Sequence, residues 1–493
     1  MPDLQKIEIP PGIFRNGTEY QSMGRWYDAN LVRWRNGTML PVGGWAPFTS
    51  TQMTGVPRGA LGWTDNSGDA RLVTGTASKL YSVNEAQTVS DITPVGLTTG
   101  NEDSTAISGY GGGLYGAYEY GTPRSDATSL DDADTWSLDV WGQNLVGCLT
   151  SDGKLYEWTT SGVAAQISNS PTSCNAVMTT DERFVFALGA DGNGRKVSWC
   201  DQENNTVWTA ASTNQAGSKE LTTNGKLMNG MRGRGQAILL TDIDAHVANY
   251  VGPPFIYSFS KVGDNCGLVA PNAVVSLPNG NVMWASYQGT FYVYDGSAVR
   301  PVPCEVTDYL KANVNWDQKA KIAATSNSLF NEVWFFYPST AGDECDSYVS
   351  YNFIEGHWSV GSMDRSCGVD VGAYDVPLFV STDGYWYKHE TGFSVGGASV
   401  YAQSGPIEMG MGRYWAWVTS LVPDENTLGD LQVSFIGAAS PTGDQTTYGP
   451  YTPGNYTDMR FTGRQMAVKV ESTGEKEWRW GVPRIEVQVA GER

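Results

Sequence analysis

The fold is decided by a repeated hairpin pattern whose clearest example is Asn144-Leu-Val-Gly-Cys-Leu-Thr-Ser-Asp-Gly-Lys-Leu-Tyr-Glu-Trp158. Two short alternating runs flank an Asp-Gly turn, which is a strong local signal of a β-hairpin. Similar units occur at 281–296 and 377–388. These strand clusters recur about every 40 to 50 residues, the spacing of four-stranded propeller blades. The span from Gly59 to Ala402 leaves room for six to eight blades.

Composition supports an all-β chain. Of 493 residues, 58 are Gly, 23 Pro, 25 Tyr and 18 Trp, while only 17% are charged. This mixture suits many short strands joined by tight turns and suits helices poorly. One helix is expected at Thr307–Asn313, with Thr307 as its N-cap. The tryptophans inside alternating strands are interpreted as packing residues rather than as a sugar-binding surface: Trp141, Trp284, Trp334, Trp358 and Trp386.

The hydrophobic pattern of the sequence changes near Gly405, where longer alternating strands begin, such as Leu431–Ile436 and Arg484–Val489. Half-buried sandwich strands have this pattern. We therefore predict an all-β fold with a β-propeller-like central domain and a β-sandwich platform formed by the C-terminal region together with the N-terminal segment. The predicted divisions are 1–58 for the N-terminal docking segment, 59–402 for the propeller and 403–493 for the platform.

The net charge of −20 lies mainly in the middle of the chain, and residues 101–182 contain twelve acids and two bases. Such a surface cannot gather DNA phosphates by releasing counterions. It is either a solubility feature or a repulsive wall past which a polyanion slides. No run approaches the ~20 apolar residues of a membrane helix, and the first residues lack a secretory signal pattern. We therefore expect no membrane insertion by this chain, and assembly in a cytoplasm.

The sequence offers no marked site of chemistry, so we predict no catalytic residue, no cofactor and no metal site. The three histidines are isolated, and no G-x-S-x-G nucleophile motif occurs. The seven cysteines are scattered without a CxxC pair, which predicts buried thiols. Acid-rich turns such as Asp131–Asp134 lack the spacing of a calcium loop. The expectation from these absences is that the chain is not an enzyme.

Both ends of the chain carry a distinctive pattern. The first contains Arg15-Asn-Gly-Thr18, Gly24-Arg-Trp-Tyr-Asp-Ala-Asn-Leu-Val-Arg33 and Pro41-Val-Gly-Gly-Trp45. The last contains Thr462-Gly-Arg464 followed by Trp478-Arg-Trp-Gly-Val-Pro-Arg484. These segments resemble the tail nozzle, or tail tube, proteins of short-tailed bacteriophages, including the related head-completion and stabilisation proteins. The resemblance covers roughly the first 50 and the last 90 residues, since the middle matches only as a Gly- and aromatic-rich propeller.

The resemblance implies a structural protein of the virion tail. Its copies would form a ring, with six subunits as the expected number, that retains the genome and lets DNA pass without specific binding. The implied partners are the portal and head-tail adaptor proteins above and tail fibre or plug proteins at the other end. On this interpretation the assembly interface includes Arg25, Trp26, Arg33, Trp34, Trp45, Arg460, Arg464, Trp478 and Trp480. The acidic channel candidates are Asp131, Asp132, Asp134, Asp139 and Asp152.

Two other classes stay open on the sequence alone. A carbohydrate-binding receptor-recognition protein of the tail would also use abundant Trp and Tyr. A propeller glycoside hydrolase would place carboxylates at the propeller centre. Assembly state separates the conduit from the receptor binder, because a ring is expected of the first and an elongated trimer of the second.

Overall fold

The computed structural model describes residues 3–106, 130–409, 414–424, 430–440 and 443–491. Nearly all regular structure in it is β, arranged as seven four-stranded sheets that form the blades and a separate pair of sheets with four and six strands. The first five strands are β1 (Asp3–Lys6), β2 (Trp26–Asn30), β3 (Val32–Arg35), β4 (Thr38–Pro41) and β5 (Trp45–Pro47).

Each of the first six blades is a consecutive four-stranded antiparallel meander. Blade 1 is β6 (Pro57–Thr64), β7 (Ala70–Thr76), β8 (Leu80–Val83) and β9 (Val89–Asp91). After the short pair β10 (Thr105–Ala106) and β11 (Leu130–Asp131), blade 2 is β12 (Trp136–Trp141), β13 (Asn144–Leu149), β14 (Leu155–Trp158) and β15 (Ala165–Gln166). Blade 3 is β16 (Ala176–Thr179), β17 (Val185–Leu188), β18 (Lys196–Trp199) and β19 (Gly217–Glu220).

Blades 4 to 6 continue the pattern. Blade 4 is β20 (Leu227–Gly233), β21 (Gln236–Thr241), β22 (Ala245–Gly252) and β23 (Ile256–Gly263). Blade 5 is β24 (Val274–Ser276), β25 (Val282–Ala285), β26 (Phe291–Tyr294) and β27 (Val299–Val302). Blade 6 is β28 (Ala323–Asn327), β29 (Glu332–Pro338), β30 (Cys345–Asn352) and β31 (His357–Ser362).

Blade 7 is assembled from both directions along the chain. It contains β32 (Cys367–Val369), β33 (Leu378–Val380) and β34 (Trp386–His389), and its outer strand is the N-terminal β5. The register pairs Tyr387 with Pro47 and His389 with Trp45. The innermost strands of neighbouring blades contact one another round the full circle, so the propeller is closed and has seven blades. The N-terminal strand β5 completes the last blade.

The remaining strands form two facing sheets. They are β35 (Tyr401–Ser404), β36 (Ile407–Glu408), β37 (Ala416–Val422), β38 (Leu431–Ala438), β39 (Gln445–Tyr451), β40 (Thr457–Gly463), β41 (Gln465–Ser472) and β42 (Arg484–Val489). One sheet has the order β1-β42-β37-β40, and the other has the order β2-β35-β41-β38-β39 with β36 beside β41. Each sheet therefore takes one strand from the N-terminal segment. Phe435, Phe461 and Tyr448 stack between the sheets with ring centroids 5.1 Å apart.

The predicted all-β fold, with a propeller and a sandwich built from both chain ends, is confirmed. The structure adds the number of blades and shows the N-terminal segment shared between the two units. The α-helix spans Thr307–Asn313 as expected, but its N-cap is Val306. Thr307 Oγ1 instead donates to the carbonyl oxygens of Gly289 and Cys304. Short 3₁₀ helices of three to six residues occur at Glu19–Ser22, Ala190–Gly192, Tyr287–Gly289 and Trp316–Lys321.

Packing explains the tryptophan content. Trp284, Trp334, Trp358 and Trp386 are among the largest fully buried side chains, whereas Trp141 is half-buried. The cysteines are all free, and Cys304 alone of the seven is only partly buried. Burial raises the pKa of thiols such as Cys345, to about 12, so these groups stay protonated and pack as small apolar side chains.

Two glycines let the N-terminal segment approach the propeller. A Cβ on Gly44 would lie 2.4 Å from both the backbone nitrogen and the carbonyl oxygen of Ser394, and one on Gly43 would lie 2.7 Å from the Glu390 Cα. Gly44 N donates to the carbonyl oxygen of Gly392 at 2.8 Å, and Trp45 N donates to that of Ser394 at 2.9 Å. The Pro-Val-Gly-Gly-Trp segment is therefore a close backbone-to-backbone contact that leads into β5.

Gly44→Ala is expected to lower the free energy of unfolding by about 1–3 kcal/mol, because a methyl group must displace backbone rather than a flexible side chain. Denaturant unfolding followed by tryptophan fluorescence measures the loss. Gly474→Ala is the matched control, since nothing lies within 4 Å of a Cβ there. Equal stability of the two variants would contradict this account of the contact.

Candidate functional site

Most of the predicted docking residues lie inside the chain. Trp26, Arg33, Trp34, Trp478 and Trp480 are buried. Arg25, Trp45 and Arg464 are half-buried, and Arg460 is exposed. The structure brings several of them together where the N-terminal hairpin β3–β4 lies between the propeller and the sandwich. The centroids of the Trp26 and Trp34 rings are 6.2 Å apart. The backbone of Met39 in β4 forms an isolated antiparallel β-bridge with that of Trp480.

Arg33 is the centre of this junction. Its guanidinium Nη2 donates to Glu390 at 2.6 Å and to Glu332 at 3.0 Å, and all three side chains are at most 6% exposed. The same group lies over the Phe330 ring, 3.7 Å from its centroid. Glu390 also accepts from Asn327 Nδ2 and from Gly43 N, and Glu332 accepts from Trp334 Nε1. One cation from the N-terminal hairpin is thus held by two carboxylates of the propeller.

This cluster contains one more carboxylate than cation, and that imbalance affects Glu332. Desolvation, together with the nearby Glu390 charge, raises the pKa of Glu332 to about 7 in spite of the Arg33 charge that lowers it. The pKa of Arg33 is also raised: burial lowers it, but the charges of Glu332 and Glu390 outweigh that cost and hold it above the ordinary arginine value. The Glu332 carboxylate in this buried cluster therefore takes up a proton as the pH falls through about 7.

A second buried cation lies beside the first. Arg365 Nε donates to His389 Nε2 at 2.9 Å, and its guanidinium lies between the rings of Trp45 and Tyr387, 5.1 and 4.5 Å from their centroids. Burial and the Arg365 and Arg33 charges lower the pKa of His389 well below its ordinary value. His389 is therefore a neutral acceptor, and Trp45 contacts an arginine of its own chain.

The sequence patterns did not identify Glu332, Glu390 or Arg365. The available signal was an acid at the head of the apolar run Glu332-Val-Trp-Phe-Phe-Tyr337, together with an arginine inside Leu31-Val-Arg-Trp34. A charge within an apolar strand needs a partner when it is buried. Only the tertiary structure shows which charges are paired.

The predicted acidic channel candidates do not form one surface. Asp131 is exposed and accepts from Asn101 Nδ2, and Asp132 is half-buried. Asp134 accepts from Asn101 N and Thr150 Oγ1. The Asp152 side chain is 1% exposed and bonds to Lys154, Tyr156 and Thr98 N. Asp139 lies at the propeller centre. Of the five acidic channel candidates, Asp131 and Asp132 are thus the two that can contribute to an outer surface of the subunit.

The propeller centre holds a cavity of about 280 Å³. Its walls are the innermost strands, with small residues such as Gly59, Gly62, Gly230 and Gly368 among the lining. A Cβ on Gly59 would lie 2.7 Å from the Trp136 carbonyl oxygen, so glycine there lets adjacent inner strands pack closely. The cavity is far too narrow for a DNA duplex. Any DNA path must lie outside the single propeller.

The charged side chains that line this cavity are Asp139, Arg232 and Asp370, and each has a partner. Asp139 Oδ1 accepts from Arg232 at 2.8 Å, and its other oxygen accepts from Thr179 N and Oγ1. Asp370 accepts from Ser328 N and Oγ. The arrangement could bind a small polar molecule through Arg232, whose side chain is 44% exposed.

The outer face of the sheet β1-β42-β37-β40 is an exposed mixed surface. Leu4, Trp417 and Tyr456 are each at least half exposed. Arg460 lies on the same face, because the β37–β40 register pairs Trp417 with Thr462, two residues along the strand from Arg460. Aromatic and arginine side chains are enriched at protein interfaces. Among the predicted docking residues, Arg460 is the one on this open face.

Within the described residues, no group of three or more His, Cys, Asp or Glu side chains could hold a metal ion. In the same part of the chain, no helix is long and apolar enough to cross a membrane.

No protein-family model and no curated protein sequence matches this chain. Solved structures do resemble it. Virginiamycin B lyase from Staphylococcus aureus is 8% identical, with a TM-score of 0.45, and the match covers 70% of this chain and 97% of the lyase. A streptogramin B lyase is 11% identical (TM-score 0.41, coverage 70% and 96%). A gluconolactonase from Xanthomonas campestris is 9% identical (TM-score 0.33, coverage 71% and 98%).

The expectation that this chain is not an enzyme is contradicted by these neighbours, since the lyases and the gluconolactonase are named as enzymes. We withdraw that expectation. At 8 to 11% identity, the likeness shows the fold alone and transfers no substrate or reaction to this chain.

The raised pKa of Glu332 makes stability depend on pH. Between about pH 4.5 and pH 7 the folded state binds more protons than the unfolded state, so the free energy of unfolding should fall as pH rises through that window. Glu332→Gln should remove that component and unfold at an unchanged or higher urea concentration at pH 8. The urea concentrations at the unfolding midpoint, recorded at pH 5 and pH 8 for the wild type and for Glu332→Gln, measure this pH dependence.

Arg33→Met serves as the opposing variant. It leaves two buried carboxylates without their cation, so it should cost about 3–5 kcal/mol at pH 8 and less at pH 5. If Glu332→Gln kept the full pH dependence of the wild type, the buried cluster would not be its source.

Proposed function

We propose that this chain is a structural subunit of the tail of a short-tailed bacteriophage, a nozzle whose copies form a ring around the path of DNA exit. The observation that carries the proposal is the platform: β1 pairs with β42 and β2 pairs with β35, so the two ends that resemble nozzle proteins build one sandwich. Strands from the two ends of the chain are thus spatial neighbours although the paired residues are 371 to 484 positions apart.

Charge supports the same role. The net charge of −20 is suited to a wall that DNA passes without adhering. In this proposal the propeller cavity is not the DNA path, and the lumen lies between neighbouring copies. The outer platform face with Trp417 and Arg460 would contact the head-tail adaptor or portal, and the other end of the ring would meet fibre or plug proteins.

The assembly state tests the proposal. Native mass spectrometry and negative-stain imaging of the purified protein across a concentration series should show a closed ring, with six copies expected, and a lumen wide enough for a DNA duplex. A trimeric rod would contradict the conduit and favour a receptor-binding tail protein. A protein that stays monomeric throughout the series would contradict self-assembly into a ring.

The exposed acids give a second test. In assembled rings, Asp131→Lys combined with Asp132→Lys should create retention of double-stranded DNA at about 50 mM salt that disappears near 200 mM, because Lys–phosphate contacts are salt-dependent. Asp444→Lys combined with Asp458→Lys is the control of equal charge change, because both acids are exposed on the platform and neither lines the propeller. Co-sedimentation of double-stranded DNA with the rings measures the retention by each double variant. Equal retention by the two variants would show that Asp131 and Asp132 do not line the lumen.

A further inference from the structure

The outer hairpin of blade 4 ends in an exposed apolar turn. From Ala245 to Ser260, which covers β22 and most of β23, no residue is Asp, Glu, Lys or Arg. Its turn is Val251-Gly-Pro-Pro-Phe255, called here the hairpin tip. Phe255 is 79% exposed and Val251 is 53% exposed. The two prolines between them are also exposed. Such an apolar projection into water is a typical interaction element.

The hairpin tip stands on a rigid base. Tyr257 contacts Phe186 edge to face at 4.8 Å between ring centroids, Phe184 at 5.4 Å and Trp199 at 5.7 Å. Tyr250 packs on Phe184 and Tyr257. These rings link blade 4 to blade 3 and fix the base of the hairpin. A preordered projection loses little conformational entropy when it binds.

A matching recess lies on the same molecule. The junction groove, of about 810 Å³, is bordered by the β3–β4 turn, the β28–β29 turn, the segment after β34 and the segment before β42. Its apolar lining includes Leu329, Phe330 and Phe393, and Leu329 is 47% exposed. Arg35 and Arg479 line it as well. Two carboxylates line it too: Glu390, which is paired with Arg33, and Glu477, which lies 3.2 Å from Arg479. The groove thus combines an apolar floor with two cations, and each of its carboxylates is paired with an arginine of the same chain.

Strand direction places the two features on one face of the propeller. The turn after β22, the turn after β28 and the segment after β34 all lie at the end where the innermost strands finish. Blade 4 and the blade 6–7 boundary are two and a half of seven blade spacings apart, about 130° round the axis. The tip therefore cannot enter the groove of its own chain. Two complementary surfaces set at such an angle join copies head to tail and can close a ring.

Charge favours a second copy as the occupant of the groove. The base of the hairpin is flanked by acids of blade 3: Tyr257 Oη donates to Glu182, next to the exposed Asp181, and Glu203 lies nearby, 3.6 Å from Arg183. Arg35 and Arg479 would face these acids when the tip is seated, although Arg479 also contacts Glu477 at 3.2 Å. The uncharged tip itself avoids the repulsion that two chains of net charge −20 otherwise meet.

We propose that the hairpin tip of one copy docks in the junction groove of the next copy, an inference that rests on the proposed ring. Val251 and Phe255 enter against Leu329, Phe330 and Phe393, while Asp181 and Glu182 approach Arg35 and Arg479. The contact joins the propeller of one subunit to the propeller–platform junction of its neighbour.

Cysteine cross-linking tests the contact directly. A protein carrying Val251→Cys is mixed with one carrying Leu329→Cys and briefly oxidised. A disulfide-linked dimer should form in the mixture and be at least about tenfold less abundant in either protein alone and in the wild type. Val95→Cys mixed with Leu329→Cys is the matched control, because Val95 is 91% exposed and lies in the segment after blade 1 rather than in blade 4. Dimer yield equal to that control overturns the proposal.

A second measurement separates this contact from the ring itself. Val251→Ser combined with Phe255→Ser should weaken self-association about tenfold or more in sedimentation experiments, while the melting temperature stays unchanged because both side chains are exposed. Rings that form normally without cross-linking would refute the tip–groove contact and leave the proposed conduit standing. Cross-linked dimers from a protein that assembles as a trimeric rod would refute the conduit and keep the contact.

Discussion

The pairing of Arg33 with Glu332 and Glu390 holds the N-terminal hairpin, which lies between the propeller and the platform, against the propeller. A buried guanidinium is expensive to desolvate, and here two carboxylates, an amide, a backbone N–H and an aromatic face share that cost. Because Arg33 is in the N-terminal hairpin and its partners are in blade 6 and just after blade 7, the cluster holds three distant parts of the chain in one position. The glycines that follow the hairpin then bring β5 into place.

The N-terminal segment takes part in both units. It supplies β1 and β2 to the two sheets of the sandwich and β5 to the last blade, with the β3–β4 hairpin between them. Propeller and sandwich therefore share a continuous buried core that includes Trp26, Trp34 and Trp480. Such a junction resists hinge motion, because bending it would expose these rings and separate the buried charges. A rigid connection of this kind would suit the tail subunit that we propose.

Local patterns were enough to predict the hairpins, the propeller and the sandwich strands, because alternation and Asp-Gly turns act over a few residues. They could not show that β5, only three residues long, closes blade 7, since its partner Tyr387 lies 340 positions away. The same limit applied to the docking residues. Trp26 and Trp34 look like interface residues in sequence, yet they pack within the chain, while the exposed Phe255 and Trp417 carried no distinguishing local signal.

During synthesis of the chain, β2 and β1 are made long before their sheet partners β35 and β42. At translation rates of about 5–20 residues per second, the first strands have no sheet partner for tens of seconds. Throughout that interval Trp26 and Trp34, which end in the core, are open to solvent and to other nascent chains. The separation of the paired strands along the sequence thus leaves these core tryptophans uncovered until strands made several hundred residues later are complete.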